Sequence, residues 1–169
     1  MKELDLSLYN KNFFDEIDKK WGIVVSGNKD ISCNGMTVSW GGIGVIWNKK
    51  VCYLFVRKSR YTHEFMEKTD SVSISFLSDN YKKEKIFFGR NSGRDCDKFK
   101  ETGLHAGFDP DLNMYIISEA RRVLKCKKIY SIDLEFNDLP EEIKKMNYKD
   151  DDIHTMYICE VKEYLTDEE

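Results

Sequence analysis

Long apolar runs are missing from this sequence. No stretch approaches the roughly 20 residues a membrane-spanning helix requires, so no membrane partner is expected. An excess of basic charge is missing as well: 27 Lys and Arg stand against 30 Asp and Glu, a net charge of −3. That balance disfavours a general nucleic-acid binder. The five cysteines, at positions 33, 52, 96, 126 and 159, are scattered, with no two within four residues of each other. Zinc knuckles and Cys-x-x-Cys redox pairs are therefore absent, and an odd, dispersed set reads as free thiols filling structure. Walker A, His-Glu-x-x-His and nucleophile-elbow motifs are absent too, and no metal site is expected. No internal repeat or low-complexity linker interrupts the chain. The first 20 residues are too acidic and too broken for a signal peptide, which makes the cytoplasm the expected location.

What is present is enough apolar and aromatic material, 41% and 13% of 169 residues, for one real core. We read a single domain over residues 1–169. A short helix is expected over 12–20, with Phe13, Phe14 and Ile17 on one face. A buried strand follows at 21–26 and a turn at 27–30. A second strand over 31–39 is interrupted at Asn34-Gly35. That pair suits a type I′ hairpin turn or a place where backbone approaches a ligand. Gly41, Gly42 and Gly44 read as a loop; no G-x-G-x-x-G lies between strand and helix. Strands are expected at 45–47 and 51–57 around a turn at 48–50. Thr62 is placed to cap a helix over 63–68 with Phe65 buried.

Residues 71–77 alternate strictly, with Val72, Ile74 and Phe76 on one face and serines on the other, as in a half-buried strand. Asp79 or Asn80 would cap a helix through Phe88 that Gly89 stops. A polar loop over 90–95, a helix over 96–102 closed by Gly103, and a turn at 108–111 follow, with Asp109 and Asp111 read as turn residues. Residues 119–132 suit a strand, although a helix also fits 119–128. Asp138-Leu139-Pro140-Glu141 has the pattern of a capping box for a helical excursion near 138–146. An acidic loop at 150–152, a last strand over 155–164 opened by His154, and a solvated tail at 166–169 complete the chain. No regular β-α-β alternation appears, so a parallel doubly wound sheet is not expected. The pattern favours a mainly β protein: an antiparallel barrel with peripheral helices.

One stretch is organised for chemistry. The apolar strand over 51–56 ends in Arg57-Lys58-Ser59-Arg60-Tyr61-Thr62. Guanidinium forks and hydroxyls at a strand end suit a phosphate. A second basic group, Arg90, Arg94 and Lys98, is likewise interleaved with Ser92 and Gly93. Each group suits either a solvated face or an anion site at free backbone N–H groups. Trp40 and the glycines after it would let a flat aromatic ligand lie against backbone, although Trp40 and Trp47 also suit a core. His154 reads as structural, as merely exposed, or as a proton donor tuned by neighbouring carboxylates.

The residues Asn34 to Gly42, followed by Arg57 to Thr62, resemble the flavin reductase-like family, which includes the flavoredoxins. Ser92 to Phe99 resembles that family's second signature, and His154 to Val161 its closing strand. The resemblance runs from about Trp21 to Val161 in the right order. It implies an antiparallel Greek-key FMN-binding split barrel of about six strands, paired as a homodimer with FMN near the interface. By the same resemblance, Asn34, Met36, Thr37, Ser39 and Trp40 border the flavin ring and ribityl chain. Arg57, Ser59, Arg60 and Thr62 hold the phosphate, and Ser92, Gly93, Arg94 and Lys98 close over it. His154 stands near the ring and the nicotinamide. Gly35 and Cys159 depart from the family pattern, where Thr and Gly are common. The implied activity is hydride transfer from NADH or NADPH to FMN and onward delivery to an acceptor, or electron carriage for a redox protein partner without NAD(P)H turnover.

Overall fold

The computed structural model describes residues 1–150 and 152–167. Asp151, in the expected acidic loop, and Glu168 and Glu169, in the expected tail, lie outside the described residues. In chain order, β1 (Lys2–Leu4) precedes a short helix that is α-helical at 13–14 and π-helical over Asp15–Lys20. Then come β2 (Gly22–Asn28), β3 (Ser32–Val38), β4 (Gly41–Ile46), β5 (Lys49–Arg57), α1 (Tyr61–Lys68) and β6 (Ser71–Phe76). A 3-10 turn leads into α2 (Lys82–Arg90), followed by α3 (Lys98–Thr102), β7 (Ala106–Asp109), β8 (Met114–Ile117), β9 (Arg122–Asp133), α4 (Glu141–Asn147) and β10 (His154–Thr166). No helix among the described residues is long and apolar enough to cross a membrane.

Every strand pairing is antiparallel, in the order β3-β2-β6-β9-β10-β5-β4, with β1 added to the far half of β10. The sheet curls into a split barrel. β5 and β6 are consecutive strands, yet β9 and β10 lie between them, so the connection through α1 crosses over as in a Greek key. Residues from both ends of the sheet meet in one core: Met36 and Val38 of β3, Leu54 and Val56 of β5, Ile74 and Phe76 of β6, and Tyr157 of β10. A second cluster, Ile23, Val25, Phe88, Leu104, Ile117 and Val123, packs on the outer face.

Several local expectations give way to tertiary context. Asn34-Gly35 lies inside β3, and the hairpin turn falls after Asn28. Gly35 leaves room for Phe88: a Cβ there would stand 3.1 Å from the Phe88 ring. Gly41 to Gly44 form a strand edge, not a loop, and Gly42 faces the ring of Tyr53. The β4–β5 turn is Trp47-Asn48, both left-handed (φ 51° and 55°), which is a type I′ hairpin. Trp40 and Trp47 are surface residues, 41% and 57% exposed. Phe14, expected with Phe13 and Ile17, is 83% exposed because the helix turns it away from the core.

Ser73 and Ser75 of β6 are buried too. Ser73 donates to the Tyr115 carbonyl (2.7 Å) and Ser75 accepts from Ile117 N–H (3.3 Å), so they seat the β7–β8 hairpin. Thr62 does not cap α1; it lies inside the first turn. Neither Asp79 nor Asn80 makes a side-chain cap to α2, which runs through Gly89 to Arg90. Pro140 itself precedes α4, without a capping-box bond. Residues 122–133 are strand throughout, since β9 is sandwiched between β6 and β10. Gly103 closes α3 as expected, in the left-handed region (φ 71°).

The N-terminal helix is held by charge. Glu16, 1% exposed, is ion-paired with the buried Arg122 of β9. Removing one member of such a pair strands a charge away from water. Glu16→Ala is therefore expected to lower stability by about 3–5 kcal/mol, and Arg122→Met in the same chain to recover part of it. Urea denaturation of the three variants checks this.

Candidate functional site

Two adjoining cavities open where β3, β5, α1, the loop after α2 and β10 converge. The first, about 210 Å³, has Met36, Val38, Trp40 and Phe55 as apolar walls, with Thr37, Ser39, Arg57, Arg60 and His154 supplying polar atoms. The second, about 150 Å³, shares Met36 and Arg60 with it. Asn34, Ser59, Thr62, Ser92, Gly93, Arg94 and Lys98 line this second cavity. All fourteen residues singled out from the sequence thus border one groove. Val38, Phe55, Tyr61, Phe88, Arg90 and Asn91 line it as well and were not assigned; Arg90 carried a signal as part of a basic group, and Val38 and Tyr61 stood inside the motifs that carry the resemblance.

Strand pairing and short turns position these side chains. His154 pairs with Arg57 across β10 and β5. The chain then turns tightly, with Arg60 N–H donating to the Arg57 carbonyl (3.0 Å), and α1 begins at Tyr61. Thr62 accepts from Asn34 Nδ2 (2.8 Å), which ties α1 to β3. The Ser92 hydroxyl accepts from Arg94 N–H (3.1 Å) and folds the loop back. Gly93 lies so close to β3 that a Cβ would stand 2.0 Å from Asn34 Oδ1.

The second cavity is cationic. Arg60, Arg90, Arg94 and Lys98 line it, and no carboxylate among the described residues does. Arg60 donates to the Gly89 carbonyl (3.1 Å); Arg94 donates to the Ser59 carbonyl (3.1 Å) and to Glu64 (2.5 Å). A guanidinium carries five N–H donors, so both keep others in reserve. Lys98 is buried against the carbonyls of Phe88 and Asn91 (3.2 Å each). Burial first, and Arg60 with it, lowers its pKa to about 8.

Arg57, expected to hold the phosphate, is engaged within the chain. Its guanidinium donates to the carbonyls of Asp152 (2.8 Å) and Asn147 (2.7 Å) and lies over the Tyr148 ring. It anchors the α4–β10 connection and faces the first cavity only. Ser59 is also engaged, donating from its hydroxyl to Asp152 (2.6 Å). His154 is buried, 4.8 Å from Trp40 between ring centroids, and burial, then Arg57, pushes its pKa down to about 4. The imidazole is therefore neutral near pH 7. A carboxylate-tuned proton donor is not what stands here, because Arg57 outweighs Asp152.

On this β framework an apolar-walled cavity stands beside a cationic one, an arrangement suited by charge and polarity to an aromatic group joined to an anionic one. The profile of the flavin reductase like domain matches residues 17–169, and the chain belongs to that family. Among curated proteins the sequence finds no match. Solved structures share the fold. The flavoredoxin of Desulfovibrio vulgaris (Miyazaki F) is 21% identical over 99% of this chain and 78% of its own, with a TM-score of 0.69. An FMN-binding domain of a flavin reductase-like enzyme from Shewanella baltica OS155 is 16% identical over 96% and 75%, TM-score 0.69. An NADH:FAD oxidoreductase from Streptomyces globisporus C-1027 is 16% identical over 91% and 79%, TM-score 0.66.

The His154 environment has a measurable signature. Its folded-state pKa, about 4, lies below its ordinary 6.5, so the unfolded chain takes up the proton first. Stability from this group is present above about pH 6.5 and is lost as pH falls toward 4. The thermal midpoint of His154→Gln is expected to fall less steeply over that window than that of the native chain.

Proposed function

We propose that this chain is a flavoprotein oxidoreductase that binds FMN, is reduced by NADH or NADPH, and delivers the electrons to an acceptor such as a redox protein. The observation that carries the reading is the division of one groove into an apolar-walled half and a cationic half that no carboxylate among the described residues lines. That donor set fits a ring system joined to a phosphate. The family assignment supports it, as does the likeness of fold to an FMN-binding domain.

The bound flavin would supply a two-electron acceptor for hydride chemistry. This chain's residues do the rest. Arg60, Arg90, Arg94 and Lys98 offset the phosphate charge, helped by the free N–H groups that open α1. Met36, Val38, Trp40 and Phe55 keep water from the ring half, and His154 presents a neutral imidazole to it. The resemblance to a flavoredoxin favours a second reading, an FMN electron carrier without its own NAD(P)H turnover.

The test is an absorption spectrum of the purified protein with FMN, before and after NADH or NADPH without oxygen. Bleaching with turnover supports the reductase; flavin inert to both nucleotides but reduced by a partner protein supports the carrier. Colourless protein that reduces added FMN would make the flavin a substrate. Arg60→Ala with Arg94→Ala is expected to weaken FMN by about a hundredfold or more, each charge-assisted contact contributing roughly 1.5–3 kcal/mol. Riboflavin binding would change little; equal loss for both ligands would overturn the phosphate assignment.

We also propose a homodimer. The β4–β5 hairpin and β9 expose Val45, Ile46, Trp47, Tyr130 and Ile132 together, with the Trp47 and Tyr130 rings 6.1 Å apart. Sedimentation is expected to show a dimer for the native chain and a monomer for Trp47→Asp; a native monomer would remove this face from consideration.

A further inference from the structure

The side chain that decides what His154 can do comes from the end of α4. Tyr148 is buried, and its hydroxyl lies 2.8 Å from His154 Nδ1. Nδ1 is the hydroxyl's sole partner among the described residues. Two arrangements satisfy that distance. If Nδ1 carried the proton, the phenol hydrogen would be buried without an acceptor, an unpaired donor held away from water. If the phenol donates, both atoms are satisfied and the ring proton sits on Nε2. Burial keeps the phenol protonated, so it remains a donor.

The surroundings hold this pair in one pose. Tyr148 meets the imidazole edge-on, with centroids 5.5 Å apart and planes at 79°. Arg57 covers the Tyr148 ring while its guanidinium holds the carbonyls on either side of the connection, Asn147 and Asp152. Trp40 also packs on the imidazole, with ring centroids 4.8 Å apart. The charged groups that act on His154 are Arg57, Asp152 and Arg60, and two of the three oppose a positive imidazole. Nε2 has no partner among the described residues, and His154 borders the first cavity.

We infer that Tyr148 is a positioning residue that fixes His154 as a neutral Nε2–H donor, aimed at a hydrogen-bond acceptor, a carbonyl oxygen, of the ligand in the first cavity. The proton arrangement stands on the geometry alone; only the ligand's carbonyl rests on the flavin reading. No proton transfer is involved. The imidazole gives a hydrogen bond and keeps its proton.

Nitrogen-15 NMR of imidazole-labelled protein, recorded without flavin at pH 7, reads the tautomer directly. The native chain is expected to show His154 with the proton on Nε2. In Tyr148→Phe the buried Nδ1 loses its donor, and the signal is expected to move toward the other tautomer or a mixture. A native Nδ1–H tautomer, or a Tyr148→Phe spectrum identical to the native one, would overturn the inference. These outcomes do not depend on flavin binding, so an absent flavin spectrum would end only the functional reading. With flavin and reduced nicotinamide, Tyr148→Phe is expected to slow flavin reduction by roughly tenfold with FMN affinity within about twofold. His154→Gln, which keeps an amide N–H donor, should retain much more of the rate than His154→Ala. Equal loss in both would show that an N–H donor alone does not replace the imidazole, and would overturn the donor role.

Discussion

The register between β5 and β10 is the constraint on which the rest depends. With His154 opposite Arg57, the last turn of β5 and the first residue of β10 must open on the same side of the sheet. One slip of a residue would exchange their faces and send the imidazole into the opposite layer. The register is held by the barrel core, where Leu54, Val56 and Tyr157 are wholly buried. Packing energy in the core therefore fixes the geometry of the groove.

The same economy runs through the cationic half. A cluster of positive side chains repels itself, and the protein answers by giving Arg60, Arg94 and Lys98 carbonyls or a carboxylate of their own before any ligand arrives. Gly89, Ser59, Phe88 and Asn91 supply those carbonyls, and Glu64 a carboxylate. The consequence is a preformed cradle that needs little rearrangement, which reduces the ordering cost of binding. Lys98 shows the limit of that arrangement, since two carbonyls do not fully replace water around an ammonium.

Much of this was legible in the sequence, for reasons that differ by residue. The strands around Val72, Ile74 and Phe76 announced themselves by period two, and the basic groups by hydroxyls and glycine set among them. Membership of the groove followed from the family resemblance. What remained hidden depended on distant chain. Nothing near Gly35 says that Phe88, some fifty positions on, will fill its missing side chain. Ser73 and Ser75 look solvent-facing until a hairpin covers them. Arg57 looks like a phosphate ligand by its neighbours, yet Asn147 and Asp152 claim it. Tyr148 sits in a segment without periodicity, and its contact with His154 exists only because α4 folds back.

The tip of the β4–β5 hairpin shows a different kind of pressure. Tryptophan is a poor occupant of a left-handed turn; a residue with a Cβ gives up roughly 1–2 kcal/mol there, which glycine would save. At Trp47 the chain accepts that backbone penalty and leaves a large indole in water as well. Two unfavourable choices at one position are not what folding alone would select. The barrel core gains nothing from the indole at the hairpin tip, which faces outward beside the Tyr130 ring.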